Sequence, residues 1–161
     1  MTTATFTIRT ATAADAPVLA VLFTAFNQQV GVMGLPAGAD KGAVANVTAA
    51  QMAERLAAAA GRETVYLAED AGRIAGLAAL RLVPHLDQDA PYAELTQLYV
   101  EPEYRRSGVG SALVATVEAA AKKAGATALY LLTDVENRDA QAFYRASGFS
   151  PNYVCFEKVL S

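Results

Sequence analysis

Apolar and polar positions change period along the chain, and each change marks the edge of an element. Phe6-Thr-Ile-Arg-Thr10 alternates apolar and polar, as a half-buried strand does. Val18, Leu22, Ala25 and Phe26 then recur at helical spacing, with Asp15 placed to cap that helix and Pro17 tolerated in its first turn. The stretch from Gly31 to Gly42 holds four glycines and Pro36 and predicts a loop. Thr48-Ala-Ala-Gln51 has capping-box form, with Val47 and Met52 at the two positions of a hydrophobic staple. Met52, Leu56 and Ala60 continue one face until Gly61 stops the helix, while Glu54 and Arg55 lie off it in solvent.

The period then returns to two. Thr64–Ala68 and Ile74–Val83 flank a turn with Gly72 and predict an antiparallel hairpin, in which Gly76 marks a bulge or a close packing contact. Pro84 to Pro91 is a polar loop, Tyr92–Val100 a strand, and Pro102 its stop. From Gly108 to Ala124 a helical stripe of Val109, Leu113, Val117, Ala120 and Ala124 ends in Lys122, Lys123 and Gly125. Ala128–Leu132 is continuously apolar, as a strand covered on both faces would be, and strand–helix–strand makes its pairing with Tyr92–Val100 parallel. Asn137 opens a last helix with Ala140, Phe143 and Tyr144 inward and Gly148 as its stop. Phe149-Ser-Pro151 reads as a turn and Tyr153–Leu160 as a closing strand. The expected fold is α/β, a mixed central sheet flanked by about four helices, in one domain over residues 1–161.

Composition narrows the chemistry. Net charge of −3 supplies no global basic field, so neither nucleic acid nor a membrane surface is an expected partner. Cys155 and His85 are each single, which excludes an intramolecular disulfide and gives no basis for a metal site. The N-terminal residues lack signal-peptide form and nothing reaches membrane-spanning length, so a cytoplasmic protein is expected.

The glycines after the Tyr92–Val100 strand carry the functional signal. Backbone N–H groups at a helix N-terminus lack intrahelical partners and favour negative charge, and Arg105 and Arg106 add cations beside them. This is a phosphate site by its chemistry. A nucleoside triphosphate loop needs a lysine after the last glycine, where Ser111 stands. A dinucleotide fingerprint needs glycine or alanine where Leu113 stands.

Arg105-Arg106-Ser107-Gly108-Val109-Gly110 has the form R/Q-x-x-G-x-G/A. Asn137-Arg-Asp-Ala-Gln-Ala-Phe-Tyr-Arg-Ala-Ser-Gly-Phe149 follows at a suitable distance. Over nearly its whole length the chain resembles the GNAT superfamily of acyl-CoA-dependent N-acetyltransferases. The resemblance implies acetyl-CoA as cosubstrate and a primary amine, on a small molecule or a protein, as acceptor. It implies a parallel strand pair splayed apart, with Leu98, Tyr99 and Val100 lining the pantetheine arm. Arg105, Arg106, Ser107, Gly108, Val109, Gly110 and Ser111 would cradle the pyrophosphate.

Direct attack of an amine on a thioester needs a neutral amine, a stabilised oxyanion and a proton for the thiolate. Neutralising a lysine-like amine at pH 7 costs about 4–5 kcal/mol, so a base is useful. Glu94 lies eleven residues before Arg105, a spacing that resembles the strand glutamate serving as base in some relatives. The plain alternative is a surface glutamate. His85, Asp87 and Asp89 stand in reserve. Tyr144, on the same helix face as Asn137 two turns further on, is the implied general acid; the plain alternative is a core tyrosine. Asn137 would contact the pantetheine arm, cap its helix, or do both. The backbone N–H of Leu98 is the oxyanion candidate. Cys155 reads as inert packing in an apolar strand. A non-catalytic acyl-CoA-binding sensor is the alternative function, and the edge strands suit a homodimer or a monomer equally.

Overall fold

The computed structural model describes residues 6–31, 40 and 46–160. Its centre is a five-stranded sheet in chain order: β1 (Thr7–Thr10), β2 (Glu63–Asp70), β3 (Arg73–Val83), β4 (Tyr92–Val100) and β5 (Leu129–Leu131). The first four strands pair antiparallel and β4 pairs β5 in parallel. The described helices are α1 (Ala16–Val30), α2 (Ala49–Ala59), α3 (Val109–Lys123) and α4 (Arg138–Ala146). None is long and apolar enough to cross a membrane. Most of the predicted Gly31–Gly42 loop lies outside the described residues.

The sheet carries a different helix layer on each face. On one face, Val109, Leu113, Val114, Val117 and Ala121 of α3 pack onto Ala68, Ala75, Ala78, Leu80, Ala93 and Leu95. Four of those six strand residues are alanines, so the helix backbone can approach closely. On the other face, Leu19 and Leu22 of α1 and Met52 of α2 pack onto Leu67, Leu77 and Tyr99. The Thr48 hydroxyl caps α2 through the Gln51 N–H at 3.2 Å, and the Gln51 side chain accepts from the Thr48 N–H at 3.0 Å, the box read from the sequence.

Two irregularities in the sheet have named causes. Between Ala68 and Glu69 the register skips Ala75, beside Gly76. A Cβ on Gly76 would stand 2.5 Å from the Tyr99 carbonyl oxygen, so bulge and close contact coincide there. Between β3 and β4 the register steps from Ala79↔Gln97 to Leu80↔Leu95, leaving Thr96 as an extra residue. Such a bulge bends its strand and increases the local twist.

Four expectations need correction. Asp15 stands at the N-cap position of α1 but does not cap it with its side chain. Its carboxylate instead takes two bonds from Arg9, at 2.8 and 2.9 Å, and one from the Thr12 N–H at 2.7 Å. The α3 stripe turns inward at Ala121 rather than at Ala124, which is exposed. β5 is three residues long and Tyr130 is 38% exposed, so this strand is not covered on both faces. Residues 149–160 contain no strand; Tyr153, Val154 and Phe156 stand in solvent and Cys155 is exposed rather than packed. An alternating segment becomes a strand only against a partner, and no described strand pairs with it.

Candidate functional site

The parallel pair defines a gap. β5 pairs β4 only over Ala93–Leu95, while β4 runs on past the Thr96 bulge to Val100. The Glu101 N–H bonds the Ala75 carbonyl at 2.9 Å and so points toward β3. Strand alternation turns the N–H groups of Leu98 and Val100 the opposite way, where β5 has already ended. Two backbone donors therefore face the gap. The Val100 carbonyl on that side is taken by Arg105 Nε at 3.1 Å. Tyr99, expected to line the pantetheine arm, does not face the gap: the same alternation turns its N–H and carbonyl toward β3, and its side chain is buried against α1 and α2, which pushes its phenol up.

Beyond β4, a single turn of 3-10 helix (Pro102–Tyr104) leads to the glycine loop. Arg106 has φ of 60° and Gly108 φ of 91°, both left-handed. Alternation of left- and right-handed residues turns successive N–H groups into one concavity, the geometry that receives anions. Gly108 is required for its backbone angle rather than for room, since a Cβ there would meet nothing within 4 Å. Gly110 packs close to α4, where a Cβ would stand 3.4 Å from the Phe143 ring and 3.6 Å from Val100. The two sequence motifs are thus in direct contact. Arg106 and Ser111 are exposed beside the loop, Val109 is fully buried and anchors it, and the Ser107 hydroxyl bonds the Tyr104 carbonyl. Arg105 is held, with Nη2 on Gln29 Oε1 at 2.7 Å.

On α4, Asn137 caps the helix through the Ala140 N–H at 3.1 Å. Tyr144 packs edge-on to Phe143 and Phe149, with ring centroids 5.4 and 5.8 Å away. Burial of the ring pushes its phenol up. Its hydroxyl makes no hydrogen bond in the described structure, and no buried side-chain oxygen there lacks a partner, so the hydroxyl opens outward. A buried ring with an open O–H can donate a proton to a group placed beside it.

Glu94 lies on the opposite side of the sheet from α3. It faces Arg81 across the β3–β4 ladder, and the guanidinium donates two bonds to Oε2, one from Nε at 2.7 Å. Arg81 and Glu94 line an open cleft of about 540 Å³ with Gly61, Arg62 and Tyr92. Nearby the Thr96 hydroxyl has two acceptors for its single proton, the Glu63 carboxylate and, at 2.8 Å, the Gln97 side-chain oxygen. His85 pairs with Asp87 at 3.7 Å and leans on Tyr92, while Asp89 is exposed. Glu94 and Tyr144 do not touch; they flank β4 from its two sides.

Sequence reading missed Gln29, Arg81 and Thr96. Arg81 carried a usable signal, an arginine at the end of a hairpin strand antiparallel to the one that carries Glu94. Gln29 carried none, because its partner is 76 residues away.

An α/β sheet with a truncated parallel partner strand and an anion-receiving loop at its end defines the class. The acetyltransferase (GNAT) family profile matches residues 41–149, and the chain belongs to that family. It is 34% identical over 89 residues to the aminoalkylphosphonate N-acetyltransferase of Salmonella typhimurium, covering 55% of this chain and 58% of that protein. It is 35% identical over 102 residues to an aminoglycoside N(6')-acetyltransferase of Stenotrophomonas maltophilia, covering 62% and 66% respectively. The match therefore spans about three-fifths of the length of these two curated relatives. A solved chain from Arthrobacter sp. FB24 is 31% identical with a TM-score of 0.75 and 96% of each chain covered.

Proposed function

We propose that the protein transfers the acetyl group of acetyl-CoA to a primary amine of a small molecule. The observation that carries this reading is the loop with left-handed Arg106 and Gly108, set at the end of β4 where β5 has stopped. A pyrophosphate fits the concavity, and an extended pantetheine arm fits the Leu98 and Val100 donors. Acetyl-CoA supplies the acyl group as a thioester. The relatives' names, an aminoalkylphosphonate and an aminoglycoside acetyltransferase, favour a small-molecule acceptor over a protein.

In this reading the Leu98 N–H stabilises the oxyanion that forms when the amine attacks, an effect worth about 3 kcal/mol for one preorganised donor. Tyr144 donates its proton to the departing thiolate. Glu94 accepts the proton of the incoming amine, directly or through water, with Oε1 turned from the two bonds that Arg81 makes to Oε2. Arg106 and the N–H groups of residues 107–111 bind the pyrophosphate. Arg105 shapes the loop from behind by holding Val100 and Gln29. Asn137 orders the start of α4 and so places Tyr144.

The test is thiol release from acetyl-CoA across a panel of small amines, with mass detection of the acetylated product. Product formation on at least one amine is expected. Tight coenzyme A binding with no product on any amine would instead make the chain an acyl-CoA-binding module, a reading favoured by the engagement of Glu94 with Arg81.

A further inference from the structure

Four aromatic rings run in a row across the end of the sheet that the described parts of α1 and α2 leave open. His85 leans on Tyr92 with centroids 5.0 Å apart and planes tilted by 57°, Tyr92 meets Tyr130 edge-on at 5.6 Å, and Tyr130 meets Tyr153 at 5.7 Å. They come from the loop after β3, the start of β4, β5 and the C-terminal segment. Tyr130 pairs with Glu94 in the parallel register, so the row passes directly beside that carboxylate. Tyr92 and Glu94 also line the same open cleft. The described parts of α1 and α2 cover Leu67, Leu77 and Tyr99 but leave this end open, with Tyr130 38% and Tyr153 78% exposed.

His85 and Tyr92 are half-buried, Tyr130 is 38% exposed and Tyr153 78% exposed, so the row is seated on the sheet yet keeps ring surface open to a ligand. Rings from four separate elements converge on one line beside Glu94. A ring face attracts cations and lies flat against C–H-rich or aromatic surfaces. Glu94 stands beside Tyr130 in the register and Asp87 beside His85, while Arg81, which Glu94 already holds, and Arg62 line the same cleft. A carboxylate next to the rings can meet the amine in its protonated form before it reacts.

Resting on the acetyltransferase reading, we infer that the acceptor is a primary amine borne on a ring, saturated sugar-like or aromatic. Its ring lies on Tyr92 and Tyr130 while its amine meets Glu94. Open-chain amines would lose the ring contact and bind more weakly. Arylmethyl amines and amino sugars share the recognising chemistry, an alkyl-type amine on or one carbon from a ring, and are separated as arms of the test.

Steady-state rates with acetyl-CoA would be compared for cyclohexylmethylamine and n-heptylamine, which have the same carbon count and similar basicity, alongside benzylamine and glucosamine. A ring preference in kcat/KM of about 5- to 10-fold is expected, the size of one ring-face contact. Tyr130→Leu should abolish the preference by raising KM for the ring amine, with KM for acetyl-CoA unmoved, and Tyr130→Phe should retain it. Whichever of benzylamine and glucosamine shows the larger Tyr130→Leu effect identifies the ring type. Equal rates for the matched pair, or a preference that survives Tyr130→Leu, would overturn the inference while leaving the acetyltransferase reading intact. The chain has no tryptophan, so tyrosine fluorescence reports binding without turnover. Ring-amine binding that depends on Tyr130, with no product formed, would keep this inference and sink the acetyltransferase reading.

Discussion

Arg105 and Gln29 join the glycine loop to the last turn of α1, with Nη2 on Oε1 at 2.7 Å, while Nε of the same arginine holds the Val100 carbonyl at 3.1 Å. One guanidinium thus fixes the loop to the end of β4 and to the helix that leads into residues 32–45. A hydrogen bond to a charged group at the surface is worth about 1 kcal/mol net. Gln29→Ala should therefore weaken coenzyme A binding about 3- to 10-fold with little change in thermal stability, as titration calorimetry would measure. Gln29→Glu should restore the affinity, since a carboxylate accepts from the same Nη2. Unchanged affinity in the alanine variant would free Arg105 from this positioning role.

The glycines of the site and of the sheet should respond in opposite ways to alanine. Gly108 has open space around it but a φ of 91°, so Gly108→Ala costs about 1–2 kcal/mol of backbone strain and disturbs the concavity. Coenzyme A affinity should fall steeply and stability slightly. Gly76 has an unexceptional φ but no room, with the Tyr99 oxygen 2.5 Å from a Cβ. Gly76→Ala should lower stability by about 1–3 kcal/mol in denaturant melts by forcing β3 and β4 apart. Gly110→Ala meets only ordinary contacts with Phe143 and Val100 and should fold normally.

Much of this geometry was legible in the chain because it is local. The bounds of Tyr92–Val100 follow from alternation and two prolines, and the α2 start follows from Thr48 and Gln51, three residues apart. The Arg105–Gly110 motif announced its own loop. What stayed hidden depends on register. Arg81 meets Glu94 only because β3 and β4 pair as they do around the Thr96 bulge, and no pattern within either strand states that offset. The same holds for Tyr92 and Tyr130, which read as ordinary strand tyrosines until the parallel pairing sets them side by side, with Tyr153 of the C-terminal segment laid against Tyr130. Tyr153–Leu160 shows the converse. Its alternation is genuine, but alternation supplies no partner, and the segment stands exposed.

The Arg9–Asp15 pair should govern acid stability. Arg9 holds the Asp15 carboxyl below the usual carboxylate range by direct hydrogen bonds, and the nearly buried carboxylate has Thr12 as a further donor. A depressed folded-state pKa means the contribution is fully present above the unfolded value near 4 and is lost as pH falls through the lower folded value. Asp15→Asn should therefore reduce the melting temperature at pH 7 and show less further loss below about pH 4 than the parent. Parallel acid curves for the two proteins would count against the pair.

Removing the proposed acid and base should leave different kinetic signatures. Tyr144→Phe keeps the buried ring and its contacts with Phe143 and Phe149 but removes the donor. kcat should fall about 10²-fold, the usual scale for one general acid, with coenzyme A affinity unchanged. Burial pushes the Tyr144 phenol above its ordinary value, so it stays protonated through the neutral range and gives the parent no alkaline fall there. Glu94→Gln acts at the other end, because a base works only when deprotonated. The parent's rate should rise with pH through an acidic limb, and the glutamine variant should lose that limb while retaining coenzyme A binding. A parent-like limb in Glu94→Gln would move the base elsewhere in the cleft, with the His85–Asp87 pair, 3.7 Å apart and leaning on Tyr92, as the next residues to replace.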